Sequence, residues 1–215
     1  MISTRFSLIY VTLSIMTFLF LSMQYNSSLF CMIDHKVALF ISTIFSKDMQ
    51  SLFIFITDIG SYKVTFPLLV IVTVGLLLSR KFLFTFLFIF NFYSVRLLNN
   101  FLKEFFHRER PPIADRLVEA HNYSFPSGHS MNSIAIYGLL CWLVLHFPLF
   151  RHTLPRMLVI IGTSLLVLLI GVSRIYLKVH FATDVFAGFL AGSAWFLLLT
   201  LLYHSYQKYR QHSRE

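Results

Sequence analysis

Apolar residues run along this chain in long blocks, and the polar residues fall between the blocks instead of alternating within them. Phe6 to Gln24 is nearly unbroken, and so are Leu52 to Ser79, Phe82 to Phe101, Ser130 to Phe147, Arg156 to Val172 and Val185 to Tyr203. A helix rises about 1.5 Å per residue, so roughly 20 apolar residues cross the hydrocarbon of a bilayer. Backbone groups there must satisfy one another, which selects helices. The pattern predicts an all-α integral membrane bundle of six transmembrane helices, at about 6–24, 52–79, 82–101, 130–147, 156–172 and 185–203, forming one domain over 1–215.

The interruptions divide the chain further. Asp34, His35, Lys36, Lys47 and Asp48 break up residues 25–50. That stretch fits a short interfacial helix around Val37 to Phe45, or a plain loop. Thr57-Asp58-Ile59-Gly60-Ser61 predicts a kink in the second span. Arg96 either snorkels to the interface or faces a site. Residues 102–126 are the most polar part of the chain, and Pro111-Pro112 ends any helix there. Within it His107, Arg108, Glu109 and Arg116 are expected to be surface-loop charges, with headgroup contact as the alternative. Gly188 and Gly192 have the spacing of a small-xxx-small helix contact, within the bundle or between subunits.

Composition supports the membrane reading: 57% of residues are hydrophobic, 13% are charged, and mean hydropathy is +0.72. The net charge of +9 does not point to nucleic acid, because no basic helix or aromatic-basic platform stands clear of the spans. Six spans put both termini on one side, together with Arg5, Arg80, Lys81, Arg151, Arg156, Lys208, Arg210 and Arg214. Every acid except Glu215 falls on the other side. Short basic loops mark the cytoplasm. The expectation is a multi-pass cell-membrane protein with both termini cytoplasmic and the polar cluster outside. The first span lacks a small-residue cleavage site and reads as uncleaved. Cys31 and Cys141 have no metal-type spacing and lie at unlike depths, so no disulfide is expected.

Three polar segments end different spans on that outer face. The first carries Lys103 and Arg110. The second is Pro126-Ser127-Gly128-His129, opening the fourth span. The third runs from Ser173 through Arg174 and His180 to Asp184. Ionisable residues at a membrane edge are costly and mark function. Arg offers a planar donor fork suited to phosphate oxygens, and Lys a mobile point charge. Ser127 and Gly128 present a hydroxyl and free N–H groups at a helix N-terminus, which favours an anion. His180 and Asp184 are four apart, so on a helix they share a face and touch. A carboxylate beside an imidazole fixes its tautomer and stabilises its cation. The set describes an anion pocket with two histidines: His180 to attack phosphorus, Asp184 to orient it, and His129 to protonate the leaving oxygen. Lys103, Arg110, Ser127, Gly128 and Arg174 would hold the phosphoryl oxygens. A metal site of His129, His180 and Asp184 is disfavoured by the three cations beside it, and no cofactor is called for.

Lys103-(six residues)-Arg110-Pro111, then Pro126-Ser127-Gly128-His129, then Ser173-Arg174-(five residues)-His180-(three residues)-Asp184 resembles the three-part signature of the type 2 phosphatidic acid phosphatase superfamily. All three parts match in order, and the motif region covers 103–184. The lack of a large soluble insert is similar to the small bacterial phosphatidylglycerophosphatase B type. The resemblance implies metal-free hydrolysis of lipid mono- or diphosphates through a phosphohistidine, in the roles above. Relatives of that type are associated with phosphatidylglycerophosphate, phosphatidic acid and undecaprenyl diphosphate. The expected partner is therefore a lipid phosphate in the bilayer, and oligomeric state is not legible. Two other functions use the same pocket: an anionic-lipid transporter or binding protein, and a phosphotransferase that passes the phosphoryl-linked group to an alcohol.

Overall fold

The structure is a computed structural model that describes residues 4–150 and 152–213. Arg151, Arg214 and Glu215, which entered the charge argument, lie outside the described residues. Every regular element among the described residues is helical. The helices are α1 (Thr4–Gln24), α2 (Ser28–Ile44), α3 (Gln50–Ile59), α4 (Tyr62–Leu78), α5 (Phe82–Phe106), α6 (Gly128–Val144), α7 (Thr153–Tyr176) and α8 (Ala182–His212).

Among the described residues, five stretches are long and apolar enough to cross a membrane: α1, the broken unit over Lys47–Leu78, α5, α7 and α8. The expected fourth span is α6, which at 17 residues is shorter than the usual crossing. It is also the helix most enclosed by protein, packing on α5, α7 and α8. Ser130, Met131, Ser133, Ala135, Ile136 and Leu139 are fully buried along it. Its surroundings are side chains, so its length is not tied to the lipid. The outer helices show the opposite pattern. Phe6, Met23, Phe55, Leu78, Leu97 and Leu158 are among their many exposed apolar side chains, a surface far too oily for water.

The kink expected at 57–61 is a full break, with α3 ending at Ile59 and α4 starting at Tyr62. A Cβ on Gly60 would lie 2.7 Å from Ile170 Cγ2 and 2.8 Å from Ser133 Oγ, so the break is where this unit presses against α6 and α7. Arg96 bonds between helices. It donates to Thr65 Oγ1 at 2.7 Å, joining α5 to α4, and lies over the Phe92 ring. Gly188 and Gly192 act within the bundle, since a Cβ on them would meet Ser127 O at 2.7 Å and Met131 O at 2.3 Å. Those two positions let α8 lie directly on the start of α6.

Residues 28–44 form a helix of 17 residues, longer than the short interfacial helix expected there. One face packs on α7 and α8. It buries Asp34 and Ile41 and leaves Leu29, Leu39 and Phe40 exposed. Ile41, Phe53, Tyr176, Leu177, Val179 and Val185 form an apolar floor under the polar end of the bundle.

Candidate active site

Four helix ends meet at that polar end. The spans are longer than their apolar cores suggested, and the added turns carry the polar side chains. α5 runs on to Phe106 and presents Lys103 from its last turn, 6% exposed. It stops at His107, which takes a left-handed conformation (φ 50°), and the chain leaves the helix toward Arg110. α7 runs on to Tyr176, placing Ser173 and Arg174 in its last turn. Ser127 caps α6, and its hydroxyl accepts from Ser130 N and Ser130 Oγ. α8 begins at Ala182, so Asp184 stands in its first turn, where an anion suits the helix dipole.

His180 and Asp184 are therefore not on one helical face. His180 lies in the turn before α8, and Phe181 is the N-cap. Nδ1 of His180 is 3.5 Å from Asp184 Oδ2. A residue absent from the sequence argument, Ser124, sits between them. Its hydroxyl donates to Asp184 Oδ2 at 2.6 Å and lies 3.2 Å from His180 Nδ1. On the other side of the ring, Arg110 Nη1 lies 3.0 Å from Nε2. A guanidinium only donates, so Nε2 is the acceptor and the ring proton is on Nδ1. That proton points to the Ser124 oxygen and, beyond it, to Asp184.

Arg110 is held by carbonyls: Nη1 donates to Val179 O at 2.8 Å, Nε to Asn122 O at 2.8 Å and Nη2 to His121 O at 2.9 Å. Burial pushes its guanidinium down to about 10, opposed by Asp184, so it stays charged at neutral pH. Burial, with the Arg110, Lys103 and Arg174 cations, pushes the His180 imidazole well below its usual 6.5. It is neutral at pH 7, with Nε2 carrying a lone pair.

Lys103 Nζ donates to Tyr123 O and, at 3.4 Å, to Ser124 O. Arg174 Nη1 donates to Thr57 Oγ1 at 2.6 Å across to α3, while its buried Nε has no hydrogen-bond partner. Arg174, His180, Arg110 and Lys103 all lie close enough to His129 to act on it electrostatically. A Cβ on Gly128 would sit 2.8 Å from Asn99 Oδ1 and 3.8 Å from Lys103 Cε, so only glycine lets the α6 terminus come this near α5. All eight residues singled out by spacing thus converge on one end of the bundle. A cavity of about 1290 Å³ opens beside His180 and Arg110, walled on its other side by α2 through Asp34, Ala38, Leu39 and Ile41, and by Phe45 just after it. Among the described residues, no three His, Cys, Asp or Glu side chains are grouped to hold a metal ion.

The expectation for Arg108 was wrong. It is 7% exposed and lies inside the site. Nη1 donates to Asp184 Oδ1 at 2.6 Å and to Thr183 Oγ1 at 2.7 Å, and Nη2 donates to Asp34 Oδ2 at 2.8 Å. Asp34, from the ambiguous 25–50 stretch, is 3% exposed. Nothing local marks either residue. The usable signal was a second arginine two positions before Arg110, in a chain where only 13% of residues are charged.

Comparison with known proteins fits this arrangement. The chain belongs to the PAP2 superfamily, which matches residues 83–208 and so spans all three motifs. It is a membrane-embedded PAP2 lipid phosphatase, a hydrolase. It is 39% identical over 158 residues to phosphatidylglycerophosphatase B of Bacillus subtilis strain 168, covering 73% of this chain and 76% of that protein. The crystal structure of the transmembrane PAP2-type phosphatidylglycerolphosphate phosphatase from Bacillus subtilis superposes with a TM-score of 0.84 at 31% identity, over 91% of this chain and 96% of that one. Aquifex aeolicus LpxE superposes with a TM-score of 0.61 at 28% identity, over 77% and 93%.

Proposed function

We propose that the protein hydrolyses lipid mono- or diphosphates at the outer membrane face, without a metal, through a phosphohistidine. The substrate class is that of phosphatidylglycerophosphate, phosphatidic acid or undecaprenyl diphosphate. Both termini then lie in the cytoplasm. The observation that carries this reading is the state of His180. It is neutral, protonated on Nδ1 toward Ser124 and Asp184, and offers Nε2 beside Arg110.

In the first step Nε2 of His180 attacks phosphorus, and the P–O bond to the lipid breaks. The leaving oxygen takes a proton from His129, and the lipid departs as its alcohol from a monophosphate or as its monophosphate from a diphosphate. The His180 ring is then cationic, and the negative charge on Asp184 stabilises it through Ser124. Lys103, Arg110 and Arg174, with Ser127 and the backbone at Gly128, hold the equatorial oxygens. In the second step His129 takes a proton from water, whose oxygen attacks phosphorus. The P–N bond breaks and phosphate leaves. The cavity beside Arg110 exceeds the roughly 300–1,000 Å³ of ordinary small-molecule sites, which suits a headgroup with part of its chain.

The test uses wild type and His180→Ala in detergent, following phosphate release from the three lipids with and without EDTA. Release that is lost in the variant and insensitive to chelator is the expected result. Activity abolished by EDTA would sink the metal-free mechanism. No release by well-folded wild type from any of the three would point to transport or to transfer onto another acceptor.

A further inference from the structure

We infer that Arg108 is a positioning residue for this reaction, balancing and orienting Asp184, and that Asp34 of α2 is the second anchor that holds Arg108 in place. The inference rests on the proposed role of Asp184 opposite a cationic His180.

Every oxygen of Asp184 is committed. Oδ1 accepts from Arg108 at 2.6 Å, and Oδ2 accepts from Ser124 Oγ at 2.6 Å and from Phe181 N at 2.9 Å. The carboxylate therefore cannot turn without breaking a charge-assisted bond. Arg108 is fixed in turn. Its second nitrogen is held by Asp34 at 2.8 Å, and its Cζ lies 4.8 Å from the Tyr25 ring centroid and 4.3 Å from that of Phe181. Asp34 also accepts from Thr183 N at 2.8 Å and from Thr183 Oγ1 at 2.9 Å. One carboxylate from α2 thus binds both the arginine and the first turn of α8.

Charge explains why a third ion is present. Burying ions costs several kcal/mol each unless they are paired and hydrogen-bonded, and Arg108, Asp34 and Asp184 are all buried. One guanidinium between two carboxylates leaves the cluster with a net charge of about −1. That single negative charge is what a cationic His180 needs beside it. Without Arg108, Asp34 and Asp184 would both lose the cation that bonds them. The guanidinium is what balances the two buried carboxylates. A lysine keeps the charge but lacks the fork that reaches both carboxylates. Arg108 bonds toward Asp184 and Asp34, not toward the cations around His129, so its loss should alter chemistry more than lipid binding.

The experiment measures kcat and KM for phosphate release from phosphatidic acid in mixed micelles, with thermal unfolding in the same detergent. The proteins are wild type, Arg108→Gln, Arg108→Lys, Asp34→Asn and the double variant Asp34→Asn/Arg108→Gln. Arg108→Gln should lose about 10²-fold in kcat, the order expected for a misplaced group, with KM nearly unchanged. The double variant should recover part of that loss, because the uncompensated second carboxylate is gone. If Arg108→Gln does not fold, Arg108→Lys and Asp34→Asn carry the same test through their kcat-to-KM split. A folded Arg108 variant with wild-type kcat, or one whose loss is all in KM, overturns the inference. So does a double variant no more active than Arg108→Gln. Failure of wild type to release phosphate is a separate result, and it overturns the phosphatase mechanism itself.

Discussion

Arg110 donates to Nε2 of His180 at 3.0 Å. This one contact settles the tautomer, because arginine has no acceptor atom. It also places a cation within reach of the atom that would attack phosphorus. Under the proposed mechanism the same side chain, which together with burial keeps the imidazole neutral, would also receive the incoming anion.

Arg110→Lys should lower kcat/KM by roughly 10²–10³-fold, the range for losing a preorganised charge-stabilising donor. The ammonium retains the charge, but it cannot bond at once to Val179 O, Asn122 O, His121 O and Nε2. Steady-state phosphate release checks this, and a change within threefold would remove Arg110 from the chemistry.

The acid limb of the pH profile follows from His180. Attack requires the neutral ring, so activity falls as pH drops through its pKa. Burial and three cations hold that pKa well below 6.5. The limb in kcat/KM, which reports the free enzyme, should therefore lie below pH 6.5. Arg110→Gln removes the foremost of the cations and should move the limb upward as well as slow the reaction. A wild-type limb at or above 6.5 would contradict the geometry.

Gly192→Val should destabilise the fold by about 1–3 kcal/mol, the usual cost of overpacking. The Cβ alone would stand 2.3 Å from Met131 O, driving α8 off α6 and moving Asp184 away from the start of α6. The expected signs are a lower unfolding temperature in detergent and reduced activity. A variant as stable as wild type would mean that the two helices pack differently.

Cys31 offers a native probe of orientation. It is exposed and lines the cavity beside the site, whereas Cys141 is only partly exposed within α6. A membrane-impermeant maleimide should label intact cells, and Cys31→Ser should abolish the labelling. Labelling only after permeabilisation would place the site on the cytoplasmic side.

Much of the site was legible because motif residues and span ends are local features. Lys103, Arg110, Ser127, Gly128, His129, Arg174, His180 and Asp184 stood out by their spacing and by their polarity at the edges of apolar blocks. The helices α5 and α7 run past their apolar blocks, since a helix continues through polar residues when the next helix packs against them. Lys103 and Arg174 sit in such added turns. Arg108 was misjudged because a charge in a polar loop is usually solvated, and its two carboxylate partners lie 74 and 76 residues away.

Hydropathy blocks by themselves determined a helical membrane protein, since a bilayer leaves the backbone no other partner than itself. The three motifs by themselves identified the family. Only the tertiary structure decided how His180 reaches Asp184, through Ser124 and across a turn. Only it made Asp34 and Arg108 part of the site. Side-chain partners dozens of residues apart are set by how helices pack, and packing depends on the whole set of surfaces at once. No window of sequence contains that information.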